Sequence, residues 1–221
     1  MNMKNIANLK KEISETGKRL CNKGFACGTS GNISVKFNNN ILITPSGMNL
    51  GEVEEEDIVL LDLDGNNLEN DKKPSSEKMM HAGIYKVRRD IESIIHVHPP
   101  KSTILAVSGI ALDKPILAEA IIVLGPVPIA KYAMPSSDKL ASIVAKSFLD
   151  HDAVLMANHG VVLCGGSLKE TYYKLETLES YAEIAIWSKL LGNSNELSQE
   201  NVSELVNLRA CLAKNTKIGQ Y

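Results

Sequence analysis

Two histidines stand two positions apart in the apolar stretch 94–98, which is closed by a pair of prolines. An apolar run that ends this abruptly is typical of a buried β-strand. Because strand side chains alternate between faces, His96 and His98 are predicted to share one face, with Cα atoms about 6.5–7 Å apart. Two imidazoles on one face can bind a single metal ion. Buried histidines that only satisfy neighbouring hydrogen bonds show the same spacing.

Two further side chains that could bind a metal are expected at the ends of other elements. Glu77 stands at the start of a predicted helix, and His159 follows a predicted buried strand at 153–157. Three imidazoles and one carboxylate form a competent Zn²⁺ ligand set, and a carboxylate that can leave the metal can also transfer a proton. A divalent ion that chelates a carbonyl and an adjacent hydroxyl makes a neighbouring C–H or C–C bond easier to break. This ligand set therefore favours an enolate reaction.

Three turns rich in glycine and hydroxyl side chains could supply a phosphate site. They span residues 28–32, 44–47 and 74–77. Such turns, together with a helix N-terminus, can hold a phosphate without a basic cluster. Each turn alone is equally typical of an ordinary structural turn or a helix cap. The candidate phosphate ligands are Ser30, Asn32, Ser46, Ser75 and Ser76.

Apolar periodicity predicts the elements that must position these residues. We expect helices at about 4–23, 77–89, 102–107, 137–148 and 198–212, and the longest helix after a capping box formed by Ser167 and Glu170. Strands are expected at 33–37, 41–44, 58–63, 94–98, 121–124, 127–129, 153–157 and 161–164. Long helices interleaved with short strands and hairpins predict an α/β fold, in which helices cover a sheet with prominent antiparallel pairing.

Composition limits the classes of protein and partner. The 221 residues are predicted to form a single domain, 1–221. The 24 basic and 26 acidic side chains leave a net charge of −2, so nothing favours binding to nucleic acid. No segment reaches the roughly 18 apolar residues of a membrane helix, and the N-terminus lacks an apolar signal core. We therefore expect no membrane association and a cytoplasmic location. The four cysteines form no C-x-x-C pair, which favours reduced thiols.

Taken together, the motifs resemble the class II aldolase/adducin family, and most closely its fuculose-phosphate aldolases. The resemblance covers nearly the whole chain and depends on the order and spacing of five motifs. These are Gly-Thr-Ser-Gly-Asn, Thr-Pro-Ser-Gly, Pro-Ser-Ser-Glu, His-Val-His and Asn-His-Gly, which begin at residues 28, 44, 74, 96 and 158. It implies a three-layer α/β/α fold with a central, mainly antiparallel sheet, and a homotetramer with active sites between subunits.

The resemblance also implies roles for individual residues. His96, His98 and His159 would bind zinc, although the same ligands also serve manganese or cobalt. Glu77 would be a fourth ligand that moves away to act as acid and base. His81 lies four residues after Glu77 but does not match a family ligand, so we expect a structural or supporting role for it. The substrate phosphate would be held by Asn32, Ser46, Gly47, Ser75 and Ser76.

Two segments depart from the family pattern. Where the aldolases carry a tyrosine thought to assist the aldehyde, this chain places Glu119, a candidate second proton-transfer group. The segment 132–136 also differs from the aromatic-bearing version near the substrate. The resemblance would match the family's C-terminal tyrosine to Tyr221. These differences leave the metal chemistry in place and leave the aldehyde open.

The resulting hypothesis is a zinc-dependent lyase that reversibly cleaves a phosphorylated ketose into dihydroxyacetone phosphate and an aldehyde. The alternatives are an L-ribulose-5-phosphate 4-epimerase type of enzyme, a related dehydratase or decarboxylase, and a metal-free, adducin-like interaction module. A carboxylate other than glutamate after Ser75 and Ser76 would favour the epimerase, so Glu77 favours the aldolase. The interaction module would lack the metal ligands, whereas this chain keeps all of them.

Overall fold

A seven-stranded sheet forms the centre of the chain in a computed structural model, which describes residues 5–69, 71–192 and 194–218, with the backbone alone from 213 onward. The strands are β1 (Asn32–Phe37), β2 (Asn40–Ile43), β3 (Val59–Asp62), β4 (Ser93–Val97), β5 (Ile129–Ala130), β6 (Ala153–Met156) and β7 (Gly160–Gly165). Their order is β3-β2-β1-β4-β7-β6-β5, and only β5 and β6 pair in parallel. The strand that carries His96 is therefore the central one.

Helices lie before, between and after the strands. They are α1 (Ile6–Asn22), α2 (Lys78–Val87), α3 (Pro100–Ser108), α4 (Ala118–Val123), α5 (Asp138–Ser147), α6 (Leu168–Leu190) and α7 (Gln199–Ile218). Ser137 and Ser167 cap α5 and α6 as predicted, because each side chain accepts a hydrogen bond from a backbone N–H in the first turn. None of the described helices is both long and apolar enough to cross a membrane.

Apolar strand residues alternate between two cores, one on each face of the sheet. Ile33 and Val35 belong to the core that also contains side chains of α1, α3, α4 and α6. Ile94 and Val162 belong to the core on the opposite face, which is packed against α2 and α5. Helices thus cover both faces, and the predicted three-layer α/β/α fold with a mainly antiparallel sheet is confirmed.

The same alternation places polar side chains on the face covered by α2 and α5. Asn32 and Ser34 occupy the β1 positions that alternate with the apolar residues of the other core, and they pair with His96 and Ile94 of β4. His96 is two residues beyond Ile94, so its imidazole points to the same face. Polar groups from the two neighbouring strands therefore lie directly beneath α2.

The predicted strand at 121–124 is wrong, because these residues lie in α4 and its C-terminal turn. Ala120 and Leu124 are buried four residues apart on one helical face and join the core beneath α6. A short apolar run does not by itself distinguish a buried strand from a helix. Several boundaries differ by one or two residues: β5 begins only at Ile129, for example, and α2 ends at Val87. The largest difference is in α7, which continues past the predicted end at 212 to Ile218.

Candidate metal centre

Three imidazoles meet at one end of the central strands. His96 and His98 come from the end of β4, and His159 comes from the turn that joins β6 to β7. The three rings stand edge to face, with centroids 4.8, 4.9 and 5.0 Å apart. One nitrogen from each ring lies within 4.8 Å of the other two. The structure therefore brings together the three histidines that the sequence pattern singled out.

The hydrogen bonds of His96 define which of its nitrogens can bind a metal. His96 is fully buried, and its Nδ1 lies 2.8 Å from the carbonyl oxygen of Val161. That oxygen can only accept, so Nδ1 carries a proton and donates it. In the neutral ring Nε2 then presents its lone pair to the centre of the cluster, where His98 Nε2 lies 3.2 Å away. A backbone carbonyl that fixes the tautomer in this way is typical of metal-binding histidines.

Glu77 approaches the histidines from the start of α2 and is buried. Its Oε2 accepts a hydrogen bond from Asn32 Nδ2 at 3.0 Å and lies 3.0 Å from His96 Nε2. Its Oε1 lies 3.7 Å from His159 Nε2 and has no hydrogen-bond partner among the described residues. A buried carboxylate oxygen without a partner is unfavourable, and a cation at this point would satisfy it.

Burial and mutual charge shift the pKa values of these groups in different directions. Burial by itself would raise the pKa of Glu77, but the His96 charge and hydrogen bonds from His96 and Asn32 hold it below its usual range. The pKa of His96 is raised by Glu77 despite its burial. Burial and the charge of His96 lower the pKa of His98 to about 4, and they also lower that of His159. Glu77 is therefore an anion at neutral pH, while His98 and His159 keep free lone pairs.

These residues fit a divalent cation. Three imidazoles and a carboxylate with an unpartnered buried oxygen form the nitrogen and oxygen donor set that Zn²⁺ accepts. Gly160 contributes by lacking a side chain, because a Cβ there would lie 2.3 Å from Cδ2 of His98 and 2.7 Å from the carbonyl oxygen of Val97. A larger residue at 160 would push the His98 ring out of the cluster.

A second buried carboxylate fixes the turn after His98. Glu179 of α6 is 3% exposed and accepts hydrogen bonds from the backbone N–H groups of Lys101 and Ser102, at 2.8 and 2.9 Å. The Ser102 hydroxyl donates to the same carboxylate at 2.7 Å. A carboxylate at a helix N-terminus satisfies otherwise free N–H groups and complements the helix dipole. Because α3 begins at Pro100, this contact holds the end of β4 that carries His98.

The three hydroxyl-bearing turns lie side by side next to Glu77. Thr44 joins the second turn to β1, since its Oγ1 accepts from the backbone N–H of Ile33 at 3.1 Å. The second and third turns bond to each other: the N–H of Ser75 donates to the Thr44 carbonyl at 3.1 Å, and the N–H of Ser46 donates to the Lys73 carbonyl at 3.0 Å. All three turns therefore lie together at the N-terminus of α2.

The exposed members of the predicted phosphate set have free polar groups. Ser46 is partly exposed, and Gly47 and Ser76 are exposed. Ser76 also lines a small cleft together with Glu77 and with Ser136 and Ser137, which precede α5. The segment 132–136, where the chain departs from the family pattern, therefore lies at the edge of the same cleft.

The other predicted phosphate residues already have hydrogen-bond partners. Ser75 is buried, and its Oγ accepts from the backbone N–H of Glu77 at 3.2 Å. The hydroxyl of Ser30 donates to the carbonyl of Cys27 at 2.6 Å. The amide of Asn32 is bonded to Glu77 on one side and to His81 on the other. Whether these groups contact a phosphate stays a prediction.

Glu119 makes no hydrogen bond or ion pair with Glu77 or with the described residues of the histidine cluster. It is exposed in the first turn of α4. Tyr221 lies outside the described residues. The structure of one chain therefore brings the four predicted metal ligands together but does not bring Glu119 to them.

Two buried residues behind Glu77 were not singled out by the sequence pattern. Ser34 and Tyr85 form a hydrogen-bonded chain with His81, which agrees with the supporting role expected for that histidine. The signal that could have found them is the spacing 77, 81 and 85, which recurs every four residues on one face of α2. Position 34 likewise alternates with position 33 on β1 and faces α2.

Comparison with known proteins gives a consistent set of similarities. Residues 11–186 match the family described as Class II Aldolase and Adducin N-terminal domain. Over 200 residues the chain is 34% identical to 5-deoxy-D-ribulose 1-phosphate aldolase of Bacillus thuringiensis, covering 89% of this chain and 92% of that protein. Over 182 residues it is 37% identical to L-fuculose phosphate aldolase of Methanocaldococcus jannaschii, covering 82% and 98%.

Similarity extends to a differently named enzyme and to solved structures. Over 181 residues the chain is 31% identical to 3-oxo-tetronate 4-phosphate decarboxylase of Escherichia coli O6:H1, covering 80% of this chain and 85% of that protein. A solved L-fuculose 1-phosphate aldolase superposes with a TM-score of 0.85 at 34% identity, covering 90% of this chain and 95% of that one.

Proposed function

The chain belongs to the class II aldolase and adducin family, and from this premise we propose that it is a zinc-dependent aldolase. It would reversibly cleave a phosphorylated ketose resembling L-fuculose 1-phosphate into dihydroxyacetone phosphate and an aldehyde. The observation that carries the proposal is the buried Glu77 carboxylate, which points an unpartnered oxygen at a cluster of three histidines.

His96, His98 and His159 are the residues that would hold the metal, with Glu77 as a fourth ligand. When bound, a divalent ion withdraws charge from a chelated hydroxyketone and stabilises the negative charge that develops next to the carbonyl. Zinc suits this mixture of imidazole and carboxylate ligands, which also serve manganese and cobalt.

Glu77 is the proposed group that moves the proton at the nucleophilic carbon. Its negative charge at neutral pH makes it an acceptor, and Asn32 and His96 orient it. The Asn32 hydrogen bond, and a cation held by the histidines, would weaken it as a base, because each one stabilises the anion. A carboxylate that turns out of these contacts loses this stabilisation and regains basicity, so movement of Glu77 towards the substrate would switch on proton transfer.

The three adjoining turns and the N-terminus of α2 are the proposed phosphate site. The hydroxyls of Ser46 and Ser76 and the exposed backbone at Gly47 are available without rearrangement, whereas the Ser46 N–H already donates to the Lys73 carbonyl. Ser30, Asn32 and Ser75 complete the proposed set. Backbone N–H groups at a helix N-terminus attract an anion through both hydrogen bonds and the helix dipole. This arrangement would anchor the phosphate next to Glu77.

Glu119 is proposed as a proton-transfer group on the aldehyde side, contributed by a neighbouring subunit. No hydrogen bond or ion pair between described residues joins it to the cluster of its own chain, and a homotetramer with active sites between subunits would bring it to a neighbouring cluster. Exposed apolar side chains such as Ile104, Val107 and Trp187 are available for subunit contacts. The cytoplasmic location and the single-domain organisation also stay predictions.

A decarboxylase that acts on a phosphorylated 3-oxo acid is the second candidate. It is favoured by the similarity to a 3-oxo-tetronate 4-phosphate decarboxylase and by Glu119 at the position where the aldolases carry tyrosine. Decarboxylation also breaks a C–C bond next to a carbonyl, so the same metal ligands and phosphate turns would serve it.

The test is to incubate the zinc-loaded protein with dihydroxyacetone phosphate and a panel of short aldehydes, and to detect ketose phosphates by mass spectrometry. We expect at least one product, and none with the His96→Ala variant. His151→Ala is the control, because His151 lies outside the cluster and its imidazole bonds, among the described residues, only to the carbonyl of Pro126. Release of CO₂ from a phosphorylated 3-oxo acid without aldol product would replace the aldolase by the decarboxylase. Interconversion of pentulose phosphate epimers alone would replace it by the epimerase.

A further inference from the structure

A chain of buried hydrogen bonds leads through the layer between α2 and β1 to the Glu77 carboxylate. It consists of Tyr85, Ser34, His81, Asn32 and Glu77, none of which is more than 7% exposed. The successive contacts measure 3.0, 2.7, 2.5 and 3.0 Å. The helix supplies the first, third and fifth members and the strand supplies the other two, so the chain crosses repeatedly between the two elements.

We propose that His81 is a positioning residue, which orients the Asn32 amide so that its NH₂ group holds the Glu77 carboxylate beside the histidine cluster. The His81 side chain does not contact the histidine cluster, and it acts on the Glu77 carboxylate only through Asn32. The inference rests on the proposed function in one respect, namely that Glu77 is the group that moves the proton.

The ionised carboxylate sets the direction of every bond in the chain. Glu77 can only accept, so Asn32 must turn its NH₂ group towards it. The carbonyl oxygen of Asn32 then faces His81, whose Nε2 must carry a proton and donate it. Burial lowers the pKa of His81 to about 3, so the ring is neutral and its Nδ1 accepts from the Ser34 hydroxyl. The Ser34 oxygen accepts in turn from the Tyr85 hydroxyl.

The opposite orientation of Asn32 is disfavoured at both ends of its amide. If the amide were flipped, its carbonyl would face the carboxylate, which is a repulsive contact. Its NH₂ would face His81 Nε2, so His81 would have to change tautomer and Ser34 and Tyr85 would have to reverse their hydrogen bonds. Asn32 is 4% exposed, so water would not relieve the repulsion. Without His81, only the carboxylate would select the orientation, and the Asn32 carbonyl would lose its partner.

The position of Glu77 depends on this orientation. Asn32 donates to Oε2, the same oxygen that lies 3.0 Å from His96 Nε2, which leaves Oε1 facing His159. Asn32 is also paired with His96 in the sheet register, so the amide and the imidazole are fixed on one rigid surface. Loss of the His81 contact would therefore disturb the carboxylate without displacing the histidines.

The experiment uses the zinc-loaded 221-residue chain with three single variants and a double variant with Asn32→Ala. His81→Phe keeps a buried ring and removes both nitrogen contacts, and His81→Leu takes its place if that protein does not fold. His81→Gln keeps an amide donor that can reach Asn32, so it tests rescue. Tyr85→Phe is the matched control: Tyr85 is one turn further along the same helix face and also buried, but loss of its hydroxyl leaves the Ser34–His81 and His81–Asn32 contacts intact.

We expect His81→Phe to lower kcat about ten- to hundredfold, while KM for the ketose phosphate and the zinc content change less than about threefold. His81→Gln should recover part of this loss, and Tyr85→Phe should stay within about twofold of wild type. In an Asn32→Ala background, His81→Phe should add less than about twofold, because Asn32 transmits the effect. The side-chain NH₂ resonances of Asn32 should exchange slowly with water in wild type and Tyr85→Phe, and quickly in His81→Phe.

Equal losses of kcat in His81→Phe and Tyr85→Phe, or additive losses in the double variant with Asn32→Ala, would overturn the proposal. An Asn32 NH₂ signal that exchanges as slowly in His81→Phe as in wild type would also overturn it, whatever the activity. If no variant and no wild-type sample had aldolase activity while the Asn32 signal responded as expected, the proposed function would fail and the positioning by His81 would stand.

Discussion

Two largely buried charged clusters lie at opposite ends of the hairpin formed by β6 and β7. One is the histidine cluster with Glu77, which includes His159 from the turn after β6. The other is centred on Asp152, immediately before β6, which contacts Arg88, Lys174 and Arg209 at 3.0, 3.1 and 3.1 Å. A strand of this length separates the two by roughly 13 Å.

The two clusters differ in whether their polar atoms have partners. At the Asp152 end, Arg88 also pairs with Asp90 at 2.8 Å and Lys174 also pairs with Glu170 at 2.8 Å. Burial opposes the charge of Asp152, but Lys174 and Arg88 still hold its pKa below the usual range. At the histidine end, Glu77 Oε1 and His159 Nδ1 are buried without a partner among the described residues.

We interpret this difference as that between a structural cluster and the proposed metal site. A buried charge network with complete pairing stabilises the fold only in that arrangement, and removing one member leaves the others unpaired. Buried polar atoms without partners reduce stability, and they persist where a ligand completes them. Changes at the Asp152 end should therefore affect stability, and changes at the histidine end should affect metal content and chemistry.

The largest effect is expected for His96→Ala. Loss of the central imidazole removes a metal ligand and the partner of Glu77, so metal content should fall well below one ion per chain and kcat/KM by about a thousandfold or more. Elemental analysis and the aldol assay measure the two quantities. A His151→Ala control should change neither. Full metal content and activity in His96→Ala would contradict the metal-binding role proposed for the histidine cluster.

Asp152→Ala should be the most destabilising change at the other end. It leaves three cations without their shared carboxylate, so the free energy of unfolding should fall by about 3 kcal/mol in urea titrations. The zinc bound per folded chain should not change. Asp64→Ala is the matched control, because Asp64 pairs with Lys86 on the surface and its loss should cost less than about 1 kcal/mol. Equal effects of the two variants would contradict the structural role.

Acid should weaken the histidine end before the Asp152 end. In chelator-treated protein the pKa of His98 is about 4 and that of His81 about 3, whereas the pKa of a histidine in the unfolded chain is about 6.5. Between these values the unfolded chain binds more protons, so stability is complete above the unfolded pKa and falls as the pH drops towards the folded values. The pKa of His96 is raised instead, so the stability that it contributes is lost as the pH rises through its folded pKa.

Urea midpoints measured from pH 7 to pH 4.5 test this order. The His98→Gln variant should lose less stability over this range than wild type, and His151→Gln should follow wild type. The stabilisation that the Asp152 carboxylate provides should be lost only at a pH below the usual pKa range of a carboxyl, because its own pKa is lowered. If the loss of stability between pH 7 and pH 4.5 disappeared in Asp152→Asn but not in His98→Gln, the loss would arise at the Asp152 cluster and not at the histidine cluster.

The smallest effect is expected for Glu179→Gln. This change should affect both stability and metal affinity, but each only slightly. The amide keeps an acceptor at the start of α3 but loses the charge that three donors share, so stability should fall by about 1 kcal/mol. Zinc affinity should weaken severalfold because the turn after His98 loosens. Glu183→Gln, one turn further on α6 in a surface pair with Lys101, should change neither quantity.

The sequence predicts the layers and most elements because apolar alternation in the strands and apolar stripes in the helices each repeat several times. It does not predict α4, since the run 121–124 is too short for either period and its helical form depends on contacts with α6 and α7. Capping by Ser137 and Ser167 is local and was predictable from a few residues.

The site likewise has features that the sequence predicts and features that it does not. His96 and His98 share a face because of strand geometry alone, and the motif order adds Glu77 and His159. The Asp152 cluster gave no signal, since its members come from loops and helices far apart in the chain. The direction of the Asn32 amide is likewise set by His81 and Glu77 together, and no single motif contains that information.

Proton exchange at the donor carbon tests the central claim most directly, because it needs no knowledge of the aldehyde. Zinc-loaded protein is incubated with dihydroxyacetone phosphate in D₂O, and deuterium incorporation is followed by NMR in wild type and Glu77→Gln. We predict stereospecific exchange of one hydrogen with wild type and none with Glu77→Gln, which should still bind metal through His96, His98 and His159. Exchange at the wild-type rate in Glu77→Gln, or none in metal-loaded wild type, would contradict the account.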